Sequence, residues 1–91
     1  DYVGKVLHIN AGHRLSKQYH NIKEETLYVL NGILCNYDKN DKTQHFQPGE
    51  AFHVLPGQIH RFGALEEDVE VVEVSTPHLD DVVRLEDDYT R

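Results

Sequence analysis

Residues 25–37 read Glu25-Thr26-Leu27-Tyr28-Val29-Leu30-Asn31-Gly32-Ile33-Leu34-Cys35-Asn36-Tyr37. Glu25, Leu27 and Val29 alternate with Thr26, Tyr28 and Leu30, so the stretch is an extended strand with two distinct faces. Asn31 and Gly32 both tolerate positive φ, which predicts a tight hairpin with Ile33–Tyr37 as the return strand. The same pattern extends in both directions. Val3–Ile9, Thr43–Phe46, Ala51–Leu55, Ile59–Phe62 and Val69–Val74 read as further strands. Between them lie the turn signals Asn10-Ala11-Gly12, Asp38-Lys39-Asn40-Asp41, Pro48-Gly49 and Pro56-Gly57. Val69–Val74 is nearly all β-branched apart from Glu70 and Glu73, which predicts a central strand. In the tail, Val82, Leu85 and Tyr89 fall at roughly helical spacing behind an Asp cap, so a short helix or an irregular closing segment is expected there. Short strands with frequent turns predict an all-β fold, a small antiparallel β-barrel or jelly roll. With 91 residues and no internal boundary, residues 1–91 form one domain.

The composition narrows the function. A net charge of −7 without a basic stripe argues against a nucleic acid partner. It also disfavours an anionic membrane surface, and no apolar run approaches the roughly 20 residues needed to span a bilayer. No signal-peptide pattern is present, and the start at Asp1 rather than Met leaves room for an upstream segment. The single Cys35 cannot form an internal disulfide; it fits a reducing, cytoplasmic setting and reads as a small core residue.

Four residues stand out chemically. Gln18, His20 and Glu25 lie between Gly12 and Gly32, and His60 follows Pro56-Gly57. Two imidazole nitrogens, a carboxylate and an amide oxygen make a first shell for one divalent ion: Zn, Mn, Co, Ni or Fe. Glu25 shares a face with Leu27 and Val29 and so points inward. A buried carboxylate without a partner is costly, and a metal would offset that cost. The simpler alternative for Glu25 is a salt bridge on the sheet face, and for Gln18 a hydrogen bond to a ligand instead of ligation. His8, His13, His45 and His78 read as solvated or hydrogen-bonded strand residues. If Phe52 and Val54 face outward, His53 points into the barrel.

The spacing Gly12-x5-Gln18-x-His20-x4-Glu25-x6-Gly32 resembles the first cupin motif, and Gly49-x5-Leu55-x-Gly57-x2-His60 resembles the second. Gln18 replaces the first motif's leading His, Leu55 the second motif's Pro, and Ala64 its final Asn. Over nearly its whole length the chain is similar to the C-terminal cupin domain of type II mannose-6-phosphate isomerases. The matching segments are Gly12-His13-Arg14-Leu15-Ser16-Lys17-Gln18-Tyr19-His20, His60-Arg61, Val72-Glu73-Val74 and Asp80–Arg91. Gln18 stands where that family also has Gln. Asn21-Ile22, Lys23 and Thr90 depart from its pattern.

This resemblance implies a metal-dependent aldose–ketose isomerase of a sugar phosphate, working as a homodimer paired through an outward face that carries Thr26, Tyr28 and Leu30. It implies that a metal polarises the sugar oxygens while a base (Glu73, His53 or Glu86) removes the proton beside the carbonyl. It raises Arg84 and Arg91 as phosphate contacts, with Arg61, Lys23 and Arg14 as alternatives. A sugar- or small-molecule-binding cupin without catalysis, and a metal-dependent dioxygenase, are the rival readings, because one fold hosts many functions.

Overall fold

The computed structural model describes residues 2–78 and 80–88. Among them the chain forms β1 (Val3–Ile9), β2 (Lys17–Tyr19), β3 (Glu25–Asn31), β4 (Leu34–Tyr37), β5 (Thr43–Phe46), β6 (Ala51–Val54), β7 (Arg61–Ala64), β8 (Val69–Ser75) and β9 (Val83–Glu86). All strand pairs are antiparallel. A four-stranded sheet in the order β1-β8-β3-β6 faces a three-stranded sheet in the order β5-β4-β7, and β2 pairs with β9. The all-β jelly-roll expectation holds, and β8 is a central strand between β1 and β3. None of the described elements is a helix long and apolar enough to cross a membrane.

The core lies between the two larger sheets. Ile9, Leu27, Val29, Leu34, Val54, Phe62, Ala64, Val69 and Val71 are buried there. Cys35 is buried beside them, and burial pushes its thiol up, as fits an inert core residue.

Two expectations change. Asn31-Gly32 does not close a hairpin: β3 belongs to the four-stranded sheet and β4 to the three-stranded one. The turn carries the chain from one sheet to the other. Gly32 sits at φ 76°, and a Cβ there would collide with the Asp68 carbonyl oxygen, so only glycine fits this crossing. The tail is the second case. Residues 83–86 form strand β9, not a helix. A helix needs a buried apolar stripe, yet Leu85 is exposed and Val82 only half-buried. The short strand β2 instead offers its backbone, and β9 pairs with it, Gln18 opposite Arg84. Tyr89, the last residue of the helical pattern, lies outside the described residues.

Candidate metal centre and its cavity

The inward face of β8 reads Val69, Val71, Glu73, Ser75, and that of β3 reads Val29, Leu27, Glu25. In register, Val29 pairs with Val71 and Glu25 with Ser75. One end of the barrel is therefore apolar and the other polar. Two loops bring the histidines to the polar end. His20 follows β2, and His60 precedes β7, where the Gln18 and His60 backbones exchange two hydrogen bonds of 2.9 Å.

His20, Glu25 and His60 converge, with their ligating atoms all within 4.8 Å of one another. Glu25 Oε1 lies 3.2 Å from His20 Nε2 and 3.3 Å from His60 Nε2. The other nitrogen of each ring faces a carbonyl. His20 Nδ1 is 2.6 Å from the Asp81 oxygen, and His60 Nδ1 is 3.0 Å from the Gln58 oxygen. A carbonyl only accepts, so each Nδ1 carries a hydrogen; a neutral ring then presents a lone pair at Nε2, and a protonated ring presents a second N–H to Glu25. With both rings neutral, two lone pairs and a carboxylate oxygen meet, and a positive centre between them satisfies all three. A proton on one ring serves one contact, whereas a divalent ion serves all three. The donor set therefore fits a metal.

Gln18 completes the group less directly. Its Nε2 is 3.5 Å from His60 Nε2, and its Oε1 accepts from the Ser16 hydroxyl at 2.8 Å. Turning the amide over presents the oxygen to the centre and gives the NH2 to Ser16, which can accept as well as donate.

The surrounding charges are buried. Lys23 Nζ lies 3.7 Å from Glu25 Oε2 and 3.3 Å from Glu73 Oε2. Burial alone would raise the Glu25 carboxyl, but its contact with His60 and the charge of Lys23 outweigh burial and bring it down to about 2. Glu73 goes the other way: burial raises it first, and the negative charge of Glu25 raises it further. Glu73 Oε2 and Ser75 Oγ are buried without a hydrogen-bond partner.

A cavity of about 430 Å³ opens in front of Glu25; Gln18, Lys23, Glu73 and Lys5 line it, and the closing strand adds Val82 and Arg84. It therefore gathers Gln18, Glu25, Lys23, Glu73 and Arg84 around one space, with His20 and His60 buried behind Glu25. Other expected residues go elsewhere. Phe52 and Val54 face the interior, so His53 faces out, where it bonds Thr26 and Glu24 at 2.7 Å each. The inward orientation considered for His53 does not occur. Arg61 is buried outside the cavity, donating to the Leu15 carbonyl at 2.8 Å, Glu86 at 3.4 Å and Asp88 at 2.9 Å. Glu86 is thereby an exposed partner of Arg61, away from the centre. Arg14 lines the cavity but also pairs with Asp88 at 2.9 Å. Arg91 lies outside the described residues.

Sequence reasoning missed two cavity or centre residues. Lys5 was legible: in β1 it shares the inward phase of Leu7 and Ile9, where a lysine is out of place. Asp81 had no local signal. Its carboxylate accepts from the backbone N–H groups of Asn21, Ile22 and Lys23, some 60 residues away, at 2.5–3.0 Å.

Among solved structures, the chain is similar to a protein with a double-stranded β-helix domain from Klebsiella pneumoniae. The identity is 24% with a TM-score of 0.84, covering 94% of this chain and 76% of that one. A cupin-like protein from Thermotoga maritima matches at 19% identity and TM-score 0.84, covering 94% of this chain and 65% of that one. A candidate sugar phosphate isomerase from Acidithiobacillus ferrooxidans matches at 19% identity and TM-score 0.72, covering 81% and 49%. A DMSP lyase and a polyketide cyclase share the architecture too. At these identities the likeness shows the fold alone. No curated protein matches the chain by sequence. The cupin domain family matches residues 5–75, a span that holds Gln18, His20, Glu25, His60, strands β2 to β8 and most of β1. With both glycine-bracketed motifs, the barrel and the family match in agreement, the chain belongs to the cupin domain family.

Proposed function

We propose that this cupin is a metal-dependent aldose–ketose isomerase of sugar phosphates, of the mannose-6-phosphate isomerase type. One observation carries the reading: a single cavity adjoins the His20–Glu25–His60 centre, the buried carboxyl of Glu73 and the cation Arg84. A divalent metal held by His20, Glu25, His60 and the Gln18 oxygen would supply Lewis-acid polarisation of the sugar's carbonyl and hydroxyl oxygens. Glu73 is the proton carrier. Its Oε2 is ion-paired with Lys23 at 3.3 Å but satisfied by no hydrogen bond, and its raised pKa makes it a stronger base when ionised. It takes the proton from the carbon beside the carbonyl and returns it to the former carbonyl carbon, while the hydroxyl proton passes between the two adjacent oxygens. One C–H and one O–H bond break and one of each forms, so the sugar is neither oxidised nor reduced overall. Lys23 holds Glu73 in place with its ammonium group. Arg84 binds the phosphate. Arg14 and Arg61 are tied to Asp88, whereas Arg84 makes no ion pair among the described residues and its fork suits a phosphate.

The test is turnover by metal-loaded protein across a panel of aldose phosphates. Interconversion of mannose 6-phosphate and fructose 6-phosphate is expected. Tight binding of these sugars without turnover would leave a binding cupin in place of an enzyme. A second reading has one observation of its own: two histidines and one glutamate are also the ligand set of non-haem iron oxygenases. Oxygen consumption by the Fe(II)-loaded protein would favour that reading over the isomerase.

Our reading includes a cytoplasmic homodimer. Val6, Val72, Tyr28 and Ala51 form one row across the outer face of the four-stranded sheet, and Val6 and Tyr28 are exposed. Such an apolar face favours pairing. A monomeric mass by light scattering at micromolar concentration would contradict the dimer.

A further inference from the structure

We propose that Asp81 is a positioning residue that couples the closing strand to the metal ligand His20. The residue does two things at once. Its carboxylate gathers three successive N–H groups, those of Asn21, Ile22 and Lys23, in the loop directly after His20. Its backbone carbonyl accepts the Nδ1 hydrogen of His20 at 2.6 Å. The side chain thus fixes where the carbonyl sits, and the carbonyl fixes the tautomer and tilt of the ring. His20 is fully buried, and among the described residues it meets this carbonyl and Glu25. The partner of a ligating imidazole's other nitrogen sets which nitrogen faces the metal and how basic it is.

The same residue reaches the cavity from two sides. Lys23, whose N–H it holds, carries the ammonium group between Glu25 and Glu73. One residue beyond Asp81 is Val82 and three beyond is Arg84, both on the cavity wall. Docking of the closing strand and metal affinity are therefore linked. A metal that tightens His20 strengthens the docking of residues 81–84, so a metal and a ligand that holds Arg84 down raise each other's affinity by the same factor. His60 lacks this link, because its Nδ1 is held by Gln58, two residues away on its own loop. The two histidines of the centre thus differ: one is set locally, the other by the tail.

The inference rests on the metal-centre reading only for its affinity arm. The first arm uses metal-free protein at a pH where both rings are neutral, with ring-nitrogen NMR reporting each tautomer. In wild type both rings should carry the hydrogen at Nδ1. In Asp81→Ala, His20 should lose its fixed tautomer while His60 keeps it. The second arm measures Zn2+ and Co2+ binding by chelator competition, where Asp81→Ala should weaken both by roughly tenfold to a hundredfold. Asp81→Asn retains an acceptor oxygen and should fall between wild type and Asp81→Ala in both arms. An unchanged His20 tautomer together with unchanged metal affinity in Asp81→Ala overturns the proposal and makes Asp81 a loop cap only. If Asp81→Ala fails to fold, Asp81→Asn decides: wild-type behaviour in both arms overturns the proposal as well. If wild type binds neither ion, the metal-centre reading fails, and the tautomer arm still tests Asp81.

Discussion

The two ends of the barrel are built from the same strands and differ in almost every physical respect. At one end β3 and β8 contribute Val29, Leu27, Val69 and Val71, all essentially without exposure and in contact with Leu34, Phe62 and Ala64 from the facing sheet. These side chains are hydrocarbon, so removing them from water is favourable. Four residues further along the same strands, the inward positions hold Glu25, Glu73 and Ser75, with Lys23 and two histidines beside them. There, burial costs desolvation, two polar atoms go without hydrogen bonds, and two carboxylates share one ammonium. One end makes the fold stable. The other keeps charges out of water at the expense of that stability, a combination found where a protein holds a metal and moves a proton.

Substitutions should break this comparison in opposite directions. The largest effect is expected from His20→Ala or His60→Ala. Wild type should carry about one divalent ion per chain, and either change should empty the site, because the remaining donors hold metal weakly. Metal analysis of purified protein checks this, and full occupancy in the double variant would rule out the centre. Glu73→Gln comes next. Turnover should fall about 10²- to 10⁴-fold with metal content retained. The same change should raise the melting temperature of the metal-free protein at neutral pH, because it removes a charge that burial disfavours. A variant that loses activity and stability together would contradict the assignment.

At the apolar end the sign reverses. Leu34→Ala should cost about 2–5 kcal/mol in urea unfolding while leaving metal stoichiometry unchanged. Loss of metal in that variant would mean that the two ends are not separable. Arg84→Lys should weaken a phosphorylated sugar by about tenfold to a hundredfold, or roughly 1.5–3 kcal/mol, and spare both metal content and the unphosphorylated sugar. Equal weakening of both sugars would make Arg84 structural.

The smallest effect concerns pH in the metal-free protein. Glu25 is lowered from 4.5 to about 2, so the stability it contributes is complete above 4.5 and is lost as pH falls toward 2. Glu73 is raised, so its contribution is present below its unfolded value and is lost as pH rises through its folded one. The stability gained by Glu73→Gln should therefore vanish in acid, while the cost of Glu25→Gln should vanish there too. Thermal unfolding across that range checks both signs.

Much of this was readable from residue order alone. The period-two pattern of Glu25–Leu30 fixed which side chains face inward, and hence that a carboxylate sits in an apolar column. The spacing of His20, Glu25 and His60 marked three side chains that the fold brings together. Strand alternation also places Lys5 in the phase of Leu7 and Ile9. These features are local: they depend on φ/ψ period and on turn residues a few positions apart. What the sequence could not decide depends on partners distant along the chain. Asn31-Gly32 has the form of a hairpin turn, but the pairing of β3 with β8 and β6 sends β4 to another sheet. The tail has apolar residues at helical spacing, yet the unpaired edge of β2 makes residues 83–86 a strand. Arg61 stands next to His60 in sequence, but adjacent strand residues point to opposite sides, so its guanidinium serves Asp88 and Glu86. Asp81 is the extreme case: backbone N–H groups and an imidazole some 60 residues away give it its role, and no pattern of neighbouring residues encodes contacts that only the closed barrel brings together.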